Sequence, residues 1–131
     1  MATSRAYLKI SGIRGASVDC SHVSWIEVLT FVLDHNFIGA VGRSRIGGAT
    51  SFTKLVDVST PSLFEAVTSA QHHDEAILET FLIDGKTQPN QWRFRYSDIV
   101  VVSLQAAAKG GGDRQVEQFV MSYGSRTTSR F

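Results

Sequence analysis

The sequence predicts a mainly β domain, a six-stranded antiparallel barrel or sandwich with one flanking α-helix, spanning residues 1–131 as a single unit. Three observations carry that expectation. Apolar and polar residues alternate in several runs of strand length; glycine, proline and asparagine clusters separate those runs; and three-to-four spacing of apolar residues occurs in one place only, directly after a Thr-Pro pair. A chain of 131 residues with 43% hydrophobic and 19% charged residues is also long enough to bury a core without disulfide or metal staples.

The first strand lies in residues 6–13, where Leu8 and Ile10 share one face, Lys9 and Ser11 the other, and Gly12 and Gly15 close the run. Residues 24–33 form the second. Trp25, Ile26, Val28, Leu29, Phe31, Val32 and Leu33 make both of its faces apolar, so cover is expected on two sides. Residues 34–50 then read as a long loop carrying Phe37, Ile38, Val41 and Ile46 beside Arg43 and Arg45, and loops of this length inside compact domains are usually functional.

The third strand is residues 51–58, with Phe52, Val56 and Val58 on one face and Lys54 as the exception on it. Thr60 is expected to cap a helix that Pro61 opens, since proline at the first helical position loses no hydrogen bond. Leu63, Phe64, Val67 and Ala70 supply its buried stripe, and His72 and His73 fall at its C-terminal end. A hairpin follows, with arms at residues 76–83 and 91–107 joined across 84–90. On the long arm Trp92, Phe94, Tyr96, Val100, Val102 and Leu104 hold one parity; Arg93, Arg95 and Ser97 hold the other until Ile99 and Val101 make that face apolar too. Residues 109–113, KGGGD, read as a hairpin loop before a last strand, 114–123, in which Phe119, Met121 and Tyr123 alternate and Val116 and Val120 hint at a bulge. The polar, basic end, 124–131, is expected to fray.

No catalytic, metal-binding or cofactor-binding constellation is expected. His72, His73, Asp74 and Glu75, with Cys20 and His22 as further donors, could be imagined as ligands, but adjacent histidines on a helix diverge and a solvated helix end explains them. Cys20 is a single thiol with no nucleophile motif around it, and KGGGD lacks the Gly-Lys-Ser/Thr ending of a phosphate loop. Arg43, Arg45, Arg93 and Arg95 near Trp92 and Tyr96 could stack and neutralise a nucleic acid, yet the formal charge is only +1 and no nucleic-acid partner is expected. A cleavable leader and a membrane helix are not expected either, because the opening residues alternate and the apolar run 25–33 is interrupted by Glu27 and Thr30. What remains is an excess of apolar residues on two strands and a long loop, which points to contact between subunits.

Four segments, in order, resemble the haemolysin-coregulated protein (Hcp) family, the inner-tube component of bacterial type VI secretion. Residues 7–15, YLKISGIRG, with Ser17 resemble its first strand and turn, and Asp19, His22 and the run Trp25 to Leu29 resemble its second strand. Residues 51–61, SFTKLVDVSTP, with Leu63 resemble its strand-to-helix segment, and residues 110–114, GGGDR, with Glu117 resemble its last hairpin. The resemblance covers residues 5 to 123. It implies a fold related to phage tail tube proteins, homo-hexameric rings that stack into a hollow tube, a contractile sheath and spike as partners, and effector cargo in the lumen. It also implies assembly in the bacterial cytoplasm and secretion on firing without a signal peptide. On that footing Trp25, Phe31, Phe37, Ile38, Val41 and Ile46 are candidates for subunit and ring contacts, and Arg93 and Arg95 for the lumen or surface. Two other readings fit the same residues: a tail-tube subunit of a phage-like contractile injection particle, and a monomeric ligand-binding β-barrel module.

Overall fold

The computed structural model describes residues 3–32, 48–83, 90–106 and 115–130. Within them lie eight strands and one helix: β1 (Thr3–Ile10), β2 (Ile26–Val28), β3 (Thr30–Val32), β4 (Gly48–Leu55), α1 (Thr60–Ser69), β5 (His72–Ile83), β6 (Asn90–Ala106), β7 (Val116–Tyr123) and β8 (Ser125–Arg130). Most of the predicted loop 34–50, with Phe37, Ile38, Val41, Arg43, Arg45 and Ile46, lies outside the described residues, as do the turns predicted at 84–89 and 109–113.

The strands form one antiparallel sheet in the order β2-β1-β5-β6-β7-β4-β3, with β8 also on β6. β2 and β3 stand at opposite ends of that order, yet Leu29 alone separates them in sequence. One residue can bridge the two ends only if the sheet curls until its edges meet, so the sheet closes into a barrel. The Leu29 amide donates to Thr53 O at 2.7 Å as the chain passes from β2, paired with β1, to β3, paired with β4.

Six expected strands become eight because one is bent and one was missed. The run expected at 24–33 is broken at Leu29: Ile26 and Val28 enter the core, whereas Leu29 and Val32 are 51% and 55% exposed. The tail does not fray. Gly124 donates to Ser97 O at 2.8 Å and Asp98 O at 3.1 Å, and Ser125–Arg130 then pair with Trp92–Ser97. β7 and β8 thus share one long partner, each lying beside half of β6.

That division sits where β6 turns over. Phe94 and Tyr96 point inward before it, Ile99 and Val101 after it, and Asp98 between them has φ +55°, a conformation asparagine and aspartate tolerate better than most residues. The second apolar parity on this strand is therefore a change of face. A Cβ on Gly124 would lie 3.1 Å from that of Asp98, so glycine permits the close crossing. The bulge expected in β7 falls in its partner, between Val101 and Ser103 of β6.

The helix begins as expected, with Pro61 in its first turn, but Ser59 is the capping residue and makes no side-chain cap bond. Its buried face is Leu63 and Ala66, with Val67 partly covered; Phe64 is 62% exposed, contrary to the stripe read from spacing. Phe64 lies about 100° around the axis from Leu63, enough to carry it off a narrow stripe. Ala70 ends the helix with φ +50°, and His72 and His73 belong to β5, not to the helix end. β4 starts at Gly48, inside the expected loop, and ends at Leu55, leaving Val56 and Val58 exposed in the turn rather than on a buried strand face. Leu8, Ile10, Ile26, Phe52, Leu78, Ile99, Phe119 and Met121 form the core with Leu63 of α1, and the Phe52 and Phe119 rings stack at 5.0 Å.

Candidate functional site

Two clusters of charged side chains converge in the fold, and both contain residues from the segments singled out by sequence. The first is built on the buried Lys54. Its parity places it on a covered face of β4, so its ammonium must be satisfied internally. It donates to Leu55 O at 3.0 Å and Asp57 Oδ1 at 2.9 Å, and it pairs with the buried Glu117 of β7. Thr60 joins them by donating to Glu117 Oε2 at 2.7 Å and accepting from the Asp57 amide at 3.1 Å. Burial pushes the Asp57 carboxyl up, but hydrogen bonds from Ser59 and Lys54 outweigh it and hold the group below its ordinary value. The strand-to-helix turn is thereby fastened to β7 across the barrel wall.

The second cluster lies on the outer face of the sheet. β1 presents Tyr7 there and β5 presents Glu79 and Phe81, and the β1–β2 loop folds back to lay His22 over them. The imidazole stacks on Tyr7 with centroids 4.2 Å apart and meets Trp25 and Phe81 edge-on at 4.8 and 5.5 Å. His22 Nδ1 lies 2.7 Å from Asp19 Oδ2 and Nε2 lies 2.7 Å from Glu79 Oε1. Arg93, placed opposite Glu79 by the β5–β6 register, donates from Nε to Glu79 Oε2 at 2.7 Å. The hydrogen bond with His22 holds the Asp19 carboxyl below its ordinary value.

These positions locate several of the sequence candidates. Trp25 is half-buried against His22, and Phe31 is half-buried against the core. Arg93 and Arg95 do not form a bare basic strip. Arg93 pairs with Glu79, and Arg95 Nη1 lies 3.8 Å from Glu75 Oε2 with both side chains half exposed. The carboxylates come from the neighbouring strand, which is why the local sequence around the arginines does not show them. His72 is exposed and 2.9 Å from Asp98, while the buried His73 donates from Nδ1 to Ser11 O at 2.8 Å. Cys20 is an exposed free thiol.

In chemical terms both clusters are fasteners. His22 has each ring nitrogen engaged with a carboxylate, and the Lys54 ammonium is surrounded by internal acceptors, so their polar atoms bind parts of this chain to one another. Sequence reading passed over both. The signal for the first was Lys54 itself, a charge at a core parity; Glu79 gave no comparable sign. Among the described residues no helix is long and apolar enough to cross a membrane.

A family model described as the type VI secretion system effector Hcp matches residues 7–129. Protein hcp1 of Pseudomonas aeruginosa is 29% identical over 124 residues, covering 89% of this chain and 76% of that protein. The crystal structure of Hcp1 from Salmonella typhimurium superposes with a TM-score of 0.78 at 25% identity, covering 100% of this chain and 87% of that one. The secreted protein Hcp3 from Pseudomonas aeruginosa shares the fold at 16% identity, with a TM-score of 0.69 over 98% of this chain and 99% of that one. With its barrel, its flanking helix and nearly its whole length accounted for, the chain belongs to the Hcp family of type VI secretion system proteins.

Proposed function

We propose that this chain is a structural subunit, a single domain over residues 1–131, that closes into hexameric rings stacking as a hollow tube for effector delivery. The observation that carries the reading is a barrel closed on itself that still leaves large apolar side chains in water on several sides: Val18 and Val23 on the β1–β2 loop, Leu29 and Val32 at the corner, Val56, Val58 and Phe64 around the helix start. Apolar surface on more than one side suits a head-to-tail contact, in which two different patches meet and rotation closes a ring. Family membership supports the same reading.

In this reading Trp25 and Phe31 line subunit contacts, Phe37, Ile38, Val41 and Ile46 join neighbouring rings, and Arg93 and Arg95 face the lumen or outer surface. The sheath, the spike and the effector cargo are the partners. The subunit assembles in the bacterial cytoplasm and leaves the cell when the tube is fired. Its role needs no cofactor and no catalytic residue. Electron microscopy of the full chain tests it: rings and end-to-end stacks are expected, and shortening the chain within residues 34–47 should spare rings while abolishing stacks. Particles of single-subunit size would overturn the reading.

A further inference from the structure

We propose that the β1–β2 loop is a proton-operated latch, closed over the outer face of the sheet while His22 carries hydrogens on both ring nitrogens and released when it carries one. A carboxylate only accepts hydrogen bonds, and His22 has one at 2.7 Å from each ring nitrogen. A neutral imidazole can satisfy one of them. Its other nitrogen would then present a lone pair to a carboxylate oxygen at the same distance, turning an attraction into a repulsion that is strongest on the buried Glu79 side and weaker toward the partly exposed Asp19.

The Glu79 side chain is 10% exposed and Arg93 holds its second oxygen, so it cannot turn away. Asp19, with its side chain 34% exposed, is tied within the loop by the Ser21 amide, which donates to the same Oδ2 at 3.2 Å. The groups facing His22 from each packed element are Asp19 and Trp25 of the loop, Tyr7 of β1, and Glu79 and Phe81 of β5, with Arg93 of β6 behind Glu79. Arg5 adds positive charge near Asp19 and Tyr7, and Glu27 adds negative charge near Tyr7. Burial raises Tyr7 above its ordinary value, so it stays neutral through the range in which a histidine titrates. Asp19 is held low, so it remains charged well into acid.

His22 is the hinge pin because the remaining bonds of the loop are largely to itself: Gly15 N to Ser24 O, Ser17 N to Trp25 O and Ser24 N to Ser17 O. They can survive as a unit when the His22–Glu79 contact opens. Opening uncovers the Tyr7 and Phe81 rings and moves Val18 and Val23, which are 88% and 62% exposed on the same loop. Proton occupancy of one histidine thus decides how a rigid apolar knob is presented on the subunit surface. The inference stands apart from ring assembly, since it concerns contacts within one chain.

The test is a pH series on the full chain, with imidazole nitrogen shifts of His22 followed by NMR and amide exchange of residues 15–25 corrected for the intrinsic pH dependence. The closed loop holds one more proton than the open one, so the opening constant should rise by up to about tenfold per pH unit once an open loop would carry neutral His22. Protection should fall as the second ring proton is lost, Glu79→Gln should flatten that slope, and Cys20→Ser should leave it unchanged, separating the thiol from the latch. His22→Gln should abolish the dependence; should that variant not fold, the wild-type shifts decide alone. A closed loop around a singly protonated His22, or protection unchanged through its titration, overturns the proposal.

Discussion

Replacing Lys54 with Met removes the charge at the centre of the inner cluster and keeps most of the apolar stem. The fully buried ammonium now balances the Glu117 carboxylate, itself nearly inaccessible, and the Asp57 carboxylate at 2.9 Å. Removing one partner of a buried pair costs about 3–5 kcal/mol, chiefly because the other charge is stranded. Here the lower end applies, since Asp57 is partly hydrated and keeps its bonds from the Ser59 amide and hydroxyl, while Glu117 keeps Thr60. With a urea m-value of about 1.5–2 kcal/mol/M for a domain of this size, a loss of about 3 kcal/mol lowers the midpoint by roughly 1.5–2 M. The assay is urea denaturation at one fixed subunit concentration, because any association of folded subunits shifts the midpoint by mass action. Pairing Lys54→Met with Glu117→Leu should recover at least half of the loss, since a well-packed apolar pair can replace a buried ion pair. A single variant that loses less than about 1 kcal/mol, or a double variant worse than the single, would refute the assignment of this cluster as a buried, mutually dependent lock.

Phe64→Ser should change subunit stability by no more than about 1 kcal/mol, because the ring is mostly in water already; thermal unfolding checks it, and a large loss would mean the helix phase is wrong. Gly15→Ala should destabilise by about 1–3 kcal/mol and loosen the β1–β2 loop in amide exchange, since its Cβ would sit 2.3 Å from the Trp25 carbonyl oxygen and the backbone would have to move. Asp57 is held below its ordinary value in the fold, so its contribution is full above the unfolded value near 3.8 and disappears as pH falls through the lower folded value; Asp57→Asn should therefore shallow the acid end of a stability–pH profile. Tyr96, pushed up to about 12 by burial, runs the other way: its contribution persists below pH 10 and is lost as pH rises toward 12, which an ultraviolet phenolate titration of wild type against Tyr96→Phe reads directly.

The parts of this fold that sequence reading reached are those with local signatures. Alternation marks β1 and both arms of the β5–β6 hairpin, and Thr60-Pro61 marks the helix start. Phe64 shows the limit of spacing, because two adjacent apolar residues leave a helix phase uncertain by a whole residue. The bend at Leu29 left no trace, since a run apolar at both parities looks the same straight or kinked. On β6 the change of parity between Tyr96 and Ile99 was visible, but a face switch at Asp98 and cover on both faces give the same pattern. β8 was missed because Ser125–Arg130 carries no apolar stripe; what orders it is backbone pairing with β6, to which its composition gives no clue. The clusters depend on partners far apart in the chain, 57 residues between His22 and Glu79 and the same between Thr60 and Glu117. Lys54 could be seen as a misfit on its strand, but no single-sequence pattern names the carboxylate that answers it.

Native mass spectrometry of the purified full chain at micromolar subunit concentration tests the central claim most directly. A dominant species at six times the subunit mass, accompanied by higher multiples of six as rings stack, is the expected result; monomer alone across that concentration range would contradict the ring-forming role.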